Sequence, residues 1–132
     1  MRPCLSIAIL TVGVLCTGCH EPLSRGSSPS MALAHNVYFA LHDNSPAAKA
    51  GLVEACEKYL RDHPGVTFFA AGTIVESHNR DVNVRDWDVS LHLVFQDKAS
   101  HDLYQEAEAH HQFIAENQGN WRTVRVFDTY VE

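Results

Sequence analysis

Histidine is the residue type that this sequence uses most unusually: eight of its nine copies lie between positions 31 and 132. An imidazole changes charge near neutral pH, so it can act as a base, an acid or a metal ligand where other side chains cannot. His35 sits at the start of the alternating run His35-Asn-Val-Tyr-Phe-Ala-Leu41, on the same face as Val37, Phe39 and Leu41. At that position it is either a core histidine satisfied by one hydrogen bond or a general base at the mouth of a pocket. Tyr104 and the pair His110-His111 form the second grouping. Six residues are close to two helical turns, so Tyr104 and His110 can flank one cleft where a helix breaks between them. A phenol and an imidazole around an apolar pocket could polarise a carbonyl and move a proton. Equally, Tyr104 can fill the core while one of the two adjacent histidines meets water.

Other chemistries find little support. Adjacent histidines cannot both point the same way on a helix, and neither HExxH nor, after residue 31, CxxC spacing is present. No metal site and no cofactor are therefore expected; Asp86, Asp88 and Asp128 could meet a hard cation, but nothing local gathers them. GxSxG, the phosphate-binding P-loop and GxGxxG are absent, which removes serine hydrolase and nucleotide-binding readings. Cys56 lies in an apolar helical stripe, where a buried inert thiol is the default.

These residues must be positioned by a chain of 132 residues, one domain's worth, with 45% hydrophobic and 20% charged residues and a net charge of -6. Acidity of this size argues against a nucleic-acid partner. After Leu41, Ser45-Pro46 caps and opens a helix whose stripe is Ala48, Leu52, Cys56, Tyr59 and Leu60, stopped by His63-Pro64-Gly65. Val66 to Val75 is a strand in which Gly72 could mark a bulge or a close approach of another chain segment. Ser77 to Arg85 is a polar hairpin-like loop. Trp87, Val89, Leu91, Leu93 and Phe95 alternate as the clearest strand in the chain. Asp97 begins a helix with apolar points at Leu103, Ala107 and Phe113-Ile114, and the spacing slips near Glu108, so a kink or two short helices are expected. Trp121 to Val131 is the last strand. The order βαββαβ predicts an α+β, ferredoxin-like fold, a four-stranded antiparallel sheet with its helices on one face. The opposite face would carry Asn36, Tyr38, His42, Ser90, His92 and Val94, and a second copy is the economical cover for it.

The first 30 residues read as a separate object. They hold three of the four cysteines, Cys4, Cys16 and Cys19, so no disulfide framework exists in the rest. Arg2 precedes twelve uncharged residues, Cys4 to Leu15, too few to span a membrane but sufficient for a secretory signal. Leu15-Cys-Thr-Gly-Cys19 resembles a bacterial lipobox, with Cys19 as the lipidated residue and Glu21 to Ser30 as a flexible tether. The expected address is the bacterial envelope, by a lipid anchor or by export; the alternative is a cytoplasmic protein translated from Met31. The domain proper would run from 31 to 132, with 8 Lys/Arg and 15 Asp/Glu in 102 residues (8 − 15 = −7).

The body of the chain resembles the stress-responsive A/B barrel (Dabb) family. The resemblance rests on Ala34-His-Asn-Val-Tyr-Phe-Ala-Leu41, Trp87-Asp-Val-Ser-Leu-His-Leu-Val-Phe-Gln-Asp97, Asp102-Leu-Tyr104, His110-His-Gln-Phe113 and Val124-Arg-Val-Phe-Asp128. It implies a homodimer that closes an α/β barrel, with a pocket in each subunit between sheet and helices. In a polyketide-cyclase branch of the family, pocket histidines and tyrosines promote an intramolecular aldol condensation; the matching positions here are His35, Tyr104 and His110. That branch carries a further histidine where this chain has Val89, and a helix-one tyrosine roughly where Cys56 falls. The resemblance thus implies a more apolar pocket, with Phe39, Val89, Leu91, Cys56 and Phe113 against the ligand. Two functions follow: a binder of a small apolar or aromatic ligand, or a cofactor-free lyase, cyclase or monooxygenase-like enzyme acting on a carbonyl compound. A purely structural dimer is the third.

Overall fold

A computed structural model describes residues 30–132, so the expected signal, lipobox and tether at 1–29 lie outside the described residues. Strand β1 (Ala32–Leu41) leads to helix α1 (Pro46–Leu60), then strands β2 (Val66–Thr73) and β3 (Val89–Phe95). Helices α2 (Lys98–Gln105) and α3 (Glu108–Asn117) and a short 3-10 turn precede strand β4 (Trp121–Val131). The strands form one antiparallel sheet in the order β2-β3-β1-β4, the arrangement expected of a ferredoxin-like chain. Among the described residues no helix is long and apolar enough to cross a membrane.

Local chemistry explains the elements. The Ser45 hydroxyl accepts the Ala48 N–H, and Pro46 occupies the first helical turn, where a missing N–H costs nothing. Leu52, Cys56 and Leu60 recur every four residues and are the buried stripe of α1. Gly65, at φ 87°, turns the chain into β2, and a Cβ there would overlap the Ser100 side chain. The core lies between the inward face of the sheet and the helices: Val37, Phe39, Leu41, Val89, Leu91, Leu93 and Phe95 from strands, with Leu52, Cys56, Leu60, Tyr104 and Phe113 from helices.

The departures from expectation have physical causes. Trp87 precedes β3 rather than belonging to it, because Asp88 diverts the ladder: its carboxylate accepts the Leu41 N–H and its own N–H donates to the Phe39 carbonyl. β2 ends at Thr73, short of Val75, and its irregularity falls between Val66 and Phe68. Gly72 pairs with Ser90 in ordinary register, so it marks no bulge. The slip near Glu108 is a true break between α2 and α3. Leu103 is 68% exposed, because Asp97 caps α2 so that Ser100 and Tyr104 face inward instead. His42 lies beyond the end of β1, while Asn36, Ser90 and His92 do share the open face, where the His92 Nδ1–H donates to the Asn36 side-chain oxygen and its Nε2 accepts from the Ser90 hydroxyl.

Candidate functional site

His35 and Asp128 occupy directly opposed positions on β1 and β4, where side chains of one sheet face meet. Their side chains touch, Nδ1 to Oδ1 at 2.7 Å. A carboxylate only accepts, so Nδ1 carries the proton and Nε2 keeps its lone pair. Burial lowers the His35 pKa, and the hydrogen bond and charge of Asp128 oppose that without cancelling it. The pair is thus a neutral imidazole oriented by a carboxylate rather than a full ion pair, the arrangement that holds a general base in one tautomer.

Helix α2 brings the next groups. His101 and Tyr104 are three residues apart and share a helix face. The Tyr104 ring lies 5.9 Å from that of His35, 5.4 Å from His63 and 4.6 Å from His110, measured between centroids. Four imidazoles therefore surround one phenol, since His101 stands 6.5 Å away. Tyr104 is only 1% exposed, and burial pushes its phenol well above the ordinary range, so its hydroxyl is protonated at any physiological pH and keeps a proton to donate. His110 sits in the first turn of α3 and its Nδ1–H donates to the Gln105 carbonyl at 3.1 Å, satisfying the C-terminal end of α2. Its pKa is lowered, chiefly by burial. His111, its neighbour, is exposed.

His35, Tyr104 and His110 line one cavity of about 420 Å³ between sheet and helices. Phe39, Leu91 and Phe113 form part of its apolar wall, with Val37, Ile114 and Trp121. Val89 and Cys56, expected against the ligand, do not reach it. Both are 0% exposed and belong to the packed layer beneath α1, where every direction is filled by neighbouring side chains. Burial pushes the Cys56 thiol up to about 12, which keeps it protonated and unreactive. The Trp121 indole N–H, also on the wall, is buried without a hydrogen-bond partner.

Three polar lining residues escaped the sequence reading as site residues: His101, Gln105 and Asp128. Strand alternation does place Asp128 on the face of Val124 and Val126, and His101 precedes Tyr104 by three on one helix. Both signals become usable only once β1 and β4 are known to pair in this register. Of the acidic residues weighed for a cation, Asp88 spends its carboxylate on the Leu41 N–H and approaches Lys49, and Asp86 pairs with Arg125.

The family described as the Stress responsive A/B Barrel Domain matches residues 33–131. No curated protein matches the chain. A Dabb family protein with a ferredoxin-like fold from Mesorhizobium loti superposes with a TM-score of 0.65 at 18% identity, over 78% of this chain and 99% of that one. A dimeric ferredoxin-like protein of unknown function from Thermobifida fusca gives 0.65 at 14% identity, over 77% and 92%. The hydroxynitrile lyase of Passiflora edulis gives 0.63 at 13% identity, over 80% and 96%. At these identities the structures share the fold alone. With the sequence match running from the first strand to the last, the chain belongs to the stress-responsive A/B barrel family.

Proposed function

We propose that this protein binds a small apolar or aromatic molecule in the cavity between sheet and helices. The observation that carries the reading is the cavity itself: about 420 Å³, walled by Val37, Phe39, Leu91 and Phe113, with its polar groups gathered around His35. Apolar walls with a few convergent polar groups are how small-molecule sites are built. A thermal-shift screen of aromatic ketones and fatty acids tests it. A concentration-dependent rise in Tm that is lost in His35→Ala supports binding. If no compound shifts Tm and His35→Ala merely lowers stability, the histidines are structural.

The His35–Asp128 hydrogen bond favours a second reading, a cofactor-free lyase, cyclase or monooxygenase-like enzyme acting on a carbonyl compound. His35 Nε2 would take a proton from the carbon beside the carbonyl while the Tyr104 hydroxyl donates to the carbonyl oxygen; the His35 imidazolium would then pass that proton to the free Nε2 of His110, which would relay it to the product. Turnover lost in His110→Ala with ligand affinity kept would establish catalysis over binding.

The proposal includes a homodimer closed through the open sheet face, where Phe68 and Phe127 are exposed, and for which the dimeric Thermobifida fusca neighbour is a precedent. It also includes attachment to the bacterial envelope through Cys19. Mass spectrometry of the mature N-terminus distinguishes a lipidated Cys19 from a chain starting at Met31.

A further inference from the structure

His35, His101 and Asp128 lie 66 and 27 residues apart in sequence (101 − 35 and 128 − 101), yet each offers a ligand atom within 4.8 Å of the others. The His35 and His101 rings are 5.1 Å apart, between centroids. We propose that these three residues form a binding site for a borderline divalent metal ion of the zinc, cobalt and nickel class. Two imidazoles and one carboxylate are the donor set such ions prefer, whereas calcium and magnesium favour all-oxygen cages.

The geometry supports capture. Bonds of about 2.0–2.2 Å put neighbouring tetrahedral ligands roughly 3.3 Å apart; no pair here is more than 4.8 Å apart, and His35 and Asp128 already touch at 2.7 Å. His35 is buried and held by the strand, whereas His101 is partly exposed on a helix surface and the Asp128 side chain is 47% exposed. Side-chain rotation of His101 and Asp128 would bring them onto the strand-held His35. The Gln105 amide N–H donates to the His101 Nε2 lone pair at 3.1 Å; with His101 ligating through Nδ1, that amide would turn its oxygen to accept the Nε2–H as an outer partner. His101 and Asp128 also line a second, smaller cavity with Lys98 and Asp102, so the cluster is open from two sides. Three protein ligands leave further coordination positions, facing the cavity that all three residues line.

The metal site is independent of the apolar ligand proposed above. Metal ligation by His35 Nδ1 would replace its hydrogen bond to Asp128, so a loaded site and a free His35 base exclude each other. Ligand screens run with a chelator present then test the cavity independently.

The experiment is a titration of the full chain with cobalt(II) alone, read by its visible ligand-field bands and by imidazole NMR. One saturable equivalent is expected, without the thiolate charge-transfer band that cysteine ligation would give. Paramagnetic broadening should fall on His35 and His101 and spare His78. His101→Gln and Asp128→Asn should each weaken cobalt binding at least tenfold, with zinc(II) displacing cobalt from the wild type, while His111→Gln leaves the affinity unchanged. No saturable band, broadening confined to other histidines, or wild-type affinity in both His101→Gln and Asp128→Asn would overturn the proposal. The NMR readout needs no substitution, so a variant that misfolds does not spare it.

Discussion

Asp128 stands directly opposite His35 in the antiparallel β1–β4 ladder and accepts its Nδ1–H at 2.7 Å, so the one buried imidazole of the sheet is oriented by the edge strand. The carboxylate raises the His35 pKa while burial lowers it further. Replacing Asp128 by Asn removes the raising charge and keeps the shape. The expected outcome is a His35 titration midpoint below that of the wild type, followed by the imidazole C–H shifts. A midpoint that is unchanged or higher would mean that Asp128 does not govern His35.

His35, His92 and His110 all titrate below the ordinary imidazole value of 6.5, in each case chiefly because burial disfavours the charged ring. Their unfolded counterparts therefore bind more protons as pH falls through 6.5, and stability rises with pH wherever the unfolded state binds more protons. The sign is that stability is full above the unfolded value and lost as pH falls below it. Tm is expected to drop as pH falls below about 6.5, ahead of the range in which the depressed carboxylates Asp97 and Asp102 are protonated. His92→Gln should flatten part of that slope. Scanning fluorimetry over the pH series reads both.

Much of this site was legible before the structure. His35 declared itself by residue type on an apolar strand face, and Tyr104 with His110 by spacing across a helix break that does occur at Glu106 and Ala107. His101 and Asp128 did not, because neither lies near His35 in sequence and each acquires its meaning from tertiary register. Val89 and Cys56 were misplaced for a related reason. Alternation and helical stripes say which face is inward, but an inward residue can line a cavity or sit in solid packing, and only the neighbouring layer decides. Leu103 shows the converse, an apolar residue left outside because the Asp97 cap sets the rotation of α2.

Gly65→Ala should destabilise the fold. At φ 87° a side chain costs about 1–2 kcal/mol in backbone strain, and the added Cβ would also overlap Ser100. Urea unfolding should show a lower midpoint with an unchanged slope. An unchanged midpoint would mean that the turn relaxes freely.

Cys56 is 0% exposed and its thiol is pushed up to about 12, so it should resist alkylation in the native protein. Peptide mapping after iodoacetamide treatment should find Cys56 unmodified until denaturant is added. Cys56→Ser should cost about 1–3 kcal/mol, because a hydroxyl there enters an apolar layer in place of a weakly polar thiol. Rapid native labelling would show that α1 opens from the sheet.

The open sheet face carries a cluster in which the Tyr38 ring contacts Trp87, His92 and Phe127 at centroid distances of 5.1, 5.7 and 5.8 Å. Phe127 is 53% exposed, so in a single copy a charge at that position meets water and the fold should survive. In the proposed homodimer the same charge would be buried without a partner, and twofold symmetry places one on each copy. Phe127→Asp is therefore expected to convert a dimer into a folded monomer, read by analytical ultracentrifugation alongside circular dichroism. A wild-type chain that sediments as a monomer at micromolar concentration would sink the dimer. A Phe127→Asp chain that stays dimeric would move the interface off this face, and the cover for Tyr38 and Phe127 would have to be sought in another partner.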